Sequence, residues 1–173
     1  MTDVPPVVYL AALQQDGPEP RALVLRMDDR RRALLAYSSV DRVHRYAGPE
    51  QAWILVRRGD LPSIAPHSVL LIDARVPGRE PASSPARPVI GPALYLPVRP
   101  DGESVEVRRL EDGRRALLAY TAIDRVATHC GEAQPWVLIE TAELRAVKQR
   151  QPFDIVITDM HVPDIYRSGG RIV

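Results

Sequence analysis

RRALLAYSSVDRV, from Arg31 to Val43, returns as RRALLAYTAIDRV, from Arg114 to Val126. The match runs on without a gap to Trp53-Ile54-Leu55-Val56 and Trp136-Val137-Leu138-Ile139. Residues 31–56 share 14 of 26 positions with residues 114–139. A recurrence of that length at a fixed offset marks an internal duplication. Further out the order persists. Val8-Tyr9-Leu10 recurs as Leu94-Tyr95-Leu96, and Leu71-Ile72-Asp73 with Pro77 recurs as Ile157-Thr158-Asp159 with Pro163. The chain therefore divides into a first copy (1–77), a Pro-rich linker (78–92, GREPASSPARPVIGP from Gly78), a second copy (93–163) and a C-terminal tail (164–173).

Both copies predict the same series of elements. A first strand holds Tyr9 or Tyr95, and a second covers Ala22–Met27 or Val105–Leu110. Asp28-Asp29-Arg30 and Glu111-Asp112-Gly113 then suit a hairpin, because Asp and Gly tolerate the backbone angles of tight turns. The third strand is Ala33–Tyr37 or Ala116–Tyr120. The apolar period next becomes helical. Ser38 lies three residues before Asp41, and Thr121 three before Asp124, which predicts a capping box with Asp in the acidic position. Gly48 and Gly131 supply the helix stop. A fourth strand begins at Trp53 or Trp136, a short helix follows, clearest at Ala142–Gln149, and a fifth strand closes each copy at Val69–Ala74 or Ile155–Asp159. The expected class is α+β: two tandem ββ(β)αβαβ modules with mixed sheets, related by a pseudo-twofold and packed on each other. Duplication lets one small copy support the other.

Composition narrows the function classes. Apolar residues are 45% and charged residues 26%, a globular balance, and the net charge of +1 lacks the basic excess of a dedicated nucleic-acid binder. The basic residues are Arg apart from Lys148, a bias that a GC-rich genome produces. Cys130 is the only cysteine, so neither an intramolecular disulfide nor Cys-Cys metal spacing exists. The opening MTDVPPVVYLAAL lacks the basic region and long apolar run of a signal peptide, and no apolar stretch reaches the length of a membrane span. A cytoplasmic protein without membrane contact is expected.

The second copy, with LYLPVRP and then EDGRRALLAYTAIDRVATHCGEAQPWVLI, resembles the SseB-like domain of bacteria in its small actinobacterial form. The matching features are Tyr95 and Pro97 in the first strand, Gly113 to Thr121 in the hairpin strand, Gly131 after the helix, and Trp136 opening the next strand. The resemblance covers residues 93–163 and, more loosely, 7–77. The first copy departs from the pattern with Ala11 in place of the strand proline and Arg30 in place of the hairpin glycine. In both copies the closing Asp and Pro are separated. The resemblance implies this α+β fold and a non-catalytic, partner-binding role, sometimes linked to secretion.

Asp73 and Asp159 are the most chemical-looking residues. FDIVITDMHVPDIYRSGG reads like the phosphoacceptor strand of a response-regulator receiver, and Asp28-Asp29 stand upstream of Asp73 as an acidic pair would. A receiver also needs Mg²⁺ held by that acidic cluster and a later lysine to pair with the phosphate. No lysine follows either Asp closely enough to serve. Among His44, His67, His129 and His161 no pair has i,i+4 spacing. His129 and Cys130 are adjacent on a helix and point apart, so they form no nucleophile pair. Arg30-Arg31-Arg32, Arg114-Arg115, Arg42 and Arg125 read as solvated charges balanced by neighbouring Asp residues. Trp53 and Trp136 read as core pieces.

The sequence thus offers no catalytic residue, no metal ligand set and no cofactor site, and it names no partner-binding residue. The expectation is a non-catalytic protein-protein adaptor, secretion- or differentiation-associated, whose partner is another protein. A homodimer is one state open to it. The alternatives are a degenerate receiver-like phospho-signalling protein using Asp73 or Asp159, and a structural subunit of a larger assembly. The segments after the tryptophan strands have diverged: Arg57-Arg58-Gly59-Asp60-Leu61-Pro62 against Glu140-Thr141-Ala142-Glu143-Leu144-Arg145. Partner contact is therefore expected to be asymmetric, drawn from this segment and from a flexible tail, Asp164–Val173, that deletion would not destabilise.

Overall fold

A computed structural model describes residues 4–13, 21–64, 69–78 and 89–173. The chain forms two compact units, Met1–Arg87 and Pro88–Val173. The first contains β1 (Val7–Leu13), β2 (Arg21–Ala22), β3 (Val24–Arg26), β4 (Arg32–Tyr37), α1 (Val40–Ala47), β5 (Trp53–Arg57), a 3₁₀ turn at Arg58–Asp60, α2 (Leu61–Ile64) and β6 (Val69–Ile72). The second contains β7 (Ala93–Pro97), β8 (Val107–Arg109), β9 (Arg115–Ala119), α3 (Ile123–Cys130), β10 (Trp136–Glu140), a 3₁₀ turn at Thr141–Glu143, α4 (Leu144–Arg150) and β11 (Ile155–Thr158). After a further 3₁₀ turn at Asp164–Tyr166 it ends in β12 (Arg167–Ser168) and β13 (Arg171–Ile172). The α+β class holds.

The sheet of each unit centres on the strand whose sequence is duplicated. β4 pairs in parallel with β6 along one edge (Ala33↔Val69 to Ala36↔Ile72). Along its other edge it pairs antiparallel first with β3 (Val24↔Leu34) and then with β1 (Tyr9↔Tyr37). β9 repeats this with β11 in parallel and β8 antiparallel, and Tyr95 bridges Tyr120. β5 lies antiparallel to β1, and β10 to β7. The uninterrupted apolar run of Ala33–Tyr37 fits a strand covered on both faces. In the first unit Leu34 and Ala36 pack with Val8, Leu10, Val56 and Leu61. In the second, Leu117 and Ala119 pack with Leu94, Leu96 and Phe153, and Leu144 and Val147 of α4 lie against them.

The structure corrects several expectations. The residues before α1 and α3 do not form a capping box: the N-caps are Ser39 and Ala122, neither with a capping side-chain bond. Ser38 and Thr121 bond elsewhere because a carboxylate from the last strand is a stronger acceptor. The tryptophans are not buried core: Trp53 is partly buried and Trp136 is exposed. Each stands edge-on to a buried tyrosine, Trp53 to Tyr9 and Trp136 to Tyr95, at 5.3 Å between ring centres in both pairs. The end of the expected linker belongs to the second unit, since Gly91 and Pro92 carbonyls accept Thr141 Oγ1 (2.6 Å) and Thr141 N (2.8 Å). The rest of it, 79–88, lies outside the described residues. Despite its Gly and Pro, the segment after β5 still makes one helical turn, α2, with Leu61 buried.

The tail is docked rather than loose. Gly169 and Gly170, both with positive φ, turn the β12–β13 hairpin. Ile172 is 1% exposed and donates its N–H to Gln134 Oε1 at 2.9 Å. The Gly170 carbonyl accepts Ala133 N–H at 2.9 Å and lies only 2.2 Å from where a Cβ on Gly131 would stand. Deleting residues 165–173 is therefore expected to lower stability by about 2–3 kcal/mol, the worth of one buried Ile plus a stranded buried acceptor. Urea titration of the full and shortened chains checks this, and equal midpoints would contradict the docking.

Candidate functional site

Asp73 and Asp159 follow the last residue of β6 and β11 and occupy the same environment. Both adopt a left-handed backbone, φ 53° and 54°, which is uncommon outside glycine. Asp73 accepts Ser38 N–H at 2.9 Å, Ser38 Oγ–H at 2.8 Å and the Arg42 guanidinium at 2.9 Å. Asp159 accepts Thr121 N–H at 2.9 Å, Thr121 Oγ1–H at 2.7 Å and Arg125 at 2.7 Å. The same guanidinium nitrogens also contact Ser38 Oγ and Thr121 Oγ1. Next to each Asp, a tyrosine hydroxyl ties the following chain: Tyr37 to the Ala74 carbonyl (3.1 Å) and Tyr120 to that of Met160 (2.7 Å). Both carboxylate oxygens thus serve as fixed acceptors, a use that binds the fold together. The acidic pair Asp28-Asp29 belongs to the β3–β4 turn, at the Arg32 end of β4, whereas Asp73 sits beside its Ala36 end. Four strand residues, about 13 Å, separate those ends. Asp29 instead holds Arg31, as Asp112 holds Arg114.

The remaining sequence candidates scatter. Arg31 and Arg114 pair within their turns, and Arg42 and Arg125 turn inward to the Asp residues, while Arg30 and Arg32 stand with Arg26 around a shallow pocket at the β3–β4 hairpin. Arg30 takes the positive φ (65°) that Gly113 takes in the second copy, so the glycine lost there leaves strain. Among the described residues no group of three or more His, Cys, Asp or Glu converges to hold a metal ion. Cys130 is buried, and burial pushes its thiol above the usual range, the opposite of an activated nucleophile. His67 lies outside the described residues.

Two features of the second unit went unread. Glu106 is a buried carboxylate where the first copy has Leu23. Desolvation raises its pKa, partly offset by Arg108 at 3.3 Å and Arg99 at 3.9 Å. The signal was available as a mismatch within an otherwise apolar repeat. The other feature is a groove of about 390 Å³ between the β7–β10 pair and α4. Leu96, Val98, Val137, Ile139 and Val147 form its apolar lining, while Glu103, Glu143 and Arg150 supply charge at its walls. Val137 is 39% exposed, and Trp136 beside it is one of the exposed large apolar residues. Glu143 is fixed: its carboxylate accepts the Glu140 N–H at 2.8 Å and closes a capping box at the start of the 3₁₀ turn.

No protein-family model, curated protein or solved structure matches this chain.

Removing the Asp159 carboxylate strands Thr121 and Arg125 together. Asp159→Ala is expected to cost about 2–4 kcal/mol, and Asp159→Asn clearly less, because Asn keeps an acceptor and tolerates positive φ. Equal losses by chemical denaturation would refute the clasp. A second expectation concerns acid. His129 stacks on Tyr120 and meets His161 edge-on at 5.9 Å, and its Nδ1 is buried with no hydrogen-bond partner among the described residues. Burial depresses its pKa below the ordinary 6.5, assisted by His161 and Arg125 and opposed by Asp159 and Asp124. A base with a depressed folded pKa binds fewer protons folded than unfolded. Its stabilising effect is therefore complete above the ordinary His value and declines as pH falls below it. Glu106, with a raised pKa, acts in the opposite sense, its contribution present in acid and lost as pH rises above the ordinary carboxylate value. His129→Tyr, which installs the first copy's residue (Tyr46), should flatten the loss of melting temperature between pH 7.5 and 5.5. An unchanged pH slope in that variant would remove His129 as the cause.

Proposed function

We propose that this chain is a non-catalytic adaptor that binds another protein through the β10–α4 face of its second unit. The observation that carries the reading is the half-open apolar groove there, whose lining includes the exposed Val137. An exposed apolar patch in a concave site commonly marks a protein interface. The balanced net charge supports a protein partner over a nucleic acid. The likeness to the SseB-like domain supports the same role, with a cytoplasmic setting linked to secretion or differentiation. Among the described residues no helix is long and apolar enough to cross a membrane. The engaged carboxylates of Asp73 and Asp159 favour this reading over phospho-signalling. A structural subunit would use the same face at fixed stoichiometry.

The test is an affinity pull-down from the native cell with parent and Val137→Glu chains. The expected outcome is a protein retained by the parent and reduced at least tenfold with the variant, whose stability stays within about 1 kcal/mol of the parent because the site is partly exposed. Equal retention by both would move the interface elsewhere. A mass gain of one phosphate on incubation with acetyl phosphate and Mg²⁺, abolished by Asp159→Asn, would replace the adaptor reading with phospho-signalling.

A further inference from the structure

β10 is an edge strand whose hydrogen-bonding phase can be read from its two ends. The Val98 N–H donates to the Pro135 carbonyl at 2.8 Å, and the Thr141 N–H donates to the Pro92 carbonyl at 2.8 Å. In an antiparallel pair alternate residues direct both backbone groups toward the partner. Pro135, Val137, Ile139 and Thr141 therefore face β7, in register with Val98, Leu96, Leu94 and Pro92. Trp136, Leu138 and Glu140 face the other way. Among the described strands β10 is hydrogen-bonded to β7 alone. Glu143 takes the outward Glu140 N–H. The Glu140 carbonyl caps the 3₁₀ turn that follows, which leaves a short ladder of two donors and two carbonyl acceptors, on Trp136 and Leu138.

The side chains alternate with the backbone. Val137 and Ile139 lie on the face that carries Leu96, and these residues line the groove beside α4. The groove and the free ladder are thus continuous: one runs along the face of the strand, the other along its edge. Residues 136–140 contain no proline, lysine or glycine, the residues that commonly protect an edge from further pairing.

We infer that the partner enters as an extended segment that adds a strand to β10 and lays alternate aliphatic side chains into the groove against α4. This deepens the adaptor reading and rests on it. The ladder specifies an extended backbone, since a helix satisfies its own N–H and C=O groups and offers none to the edge. The groove specifies apolar residues at every second position, because successive strand side chains point to opposite faces. Glu103 and Glu143 outnumber Arg150 around the groove, so a basic residue flanking the apolar positions completes the match. With only four edge groups to pair, affinity comes from the groove and direction from the ladder.

The experiment selects a displayed library of random twelve-residue peptides on the full chain and counter-selects on Val137→Glu. The expected winners carry aliphatic residues at alternate positions. A synthetic winner should protect the Trp136 and Leu138 amides from hydrogen exchange, and N-methylation of its alternate, ladder-forming residues should weaken binding at least tenfold. Winners without alternation, unaffected by N-methylation or leaving those amides unprotected, would overturn the inference. So would the absence of any enrichment. Sedimentation of the chain alone provides the remaining arm. A concentration-dependent dimer with the same two amides protected would assign the edge to a second copy and also overturn the inference. If the pull-down succeeds while these signatures fail, the adaptor reading stands without strand addition; if Val137→Glu leaves partner capture intact, the β10–α4 interface and strand addition fall together.

Discussion

A single carboxylate clasp at the end of the parallel strand, β6 or β11, holds each unit in its topology. β6 and β11 are joined to the sheet by parallel pairing and come last in their copies, so their ends need a fixed point. Asp73 and Asp159 provide it by reaching from strand end to the corner between the central strand and the following helix, and to the Arg on that helix. The energetics favour the arrangement. A left-handed Asp costs about 1–2 kcal/mol, while each hydrogen bond to a charged acceptor returns about 1.5–3 kcal/mol. Three such bonds outweigh the strain. The backbone N–H of each Asp also donates to the central strand, at the carbonyls of Ala36 and Ala119 (both 2.9 Å), so the clasp extends the ladder it terminates.

The clasp also explains why the sequence resembled something it does not support geometrically. An apolar strand ending in Asp with a Pro four residues on is a pattern that two different constraints can produce. A phosphoacceptor needs a carboxylate beside an acidic pair; a clasp needs one beside a Ser or Thr and an Arg. Ser38 with Arg42 and Thr121 with Arg125 carry the second signature, at i,i+4 spacing in both copies. Read alone, Ser38 and Asp41 looked like a capping box. The hydroxyl could serve only one acceptor, and the distant carboxylate won.

The duplication made the strands, helices and turns legible, because each ambiguous segment could be checked against a second instance. The hairpin at Asp28-Asp29-Arg30 is an example. Arg30 by itself argues against a left-handed turn position, but Gly113 at the matching place reveals it. What could not be read was whatever only one copy possesses. Glu106 stands against Leu23, His129 against Tyr46 and the tail against nothing: a mismatch marks the first two positions as different, but a residue type found in one copy alone does not reveal its environment. The groove beside α4 was also hidden, since it depends on the spacing between a helix and a strand rather than on either sequence.

The docking of the tail shows how a duplicated framework accepts an addition without new chemistry. Gln51 and Gln134 perform the same task in their units: each side-chain amide donates to two carbonyls, those of Ala12 and Ala52 or of Val98 and Pro135. That geometry leaves the amide oxygen of Gln134 turned away, where it accepts the Ile172 N–H. Gly48 and Gly131 likewise end α1 and α3 with similar positive φ, 115° and 121°. A helix-ending glycine exposes a backbone with no Cβ, and on Gly131 the Gly170 carbonyl sits in that space. Both contacts use features that the module already needed for its own turn. Taken alone, the glycine-rich tail encodes a flexible segment. Its order comes from the surface it meets, and Ile172 is the residue through which that surface becomes a core.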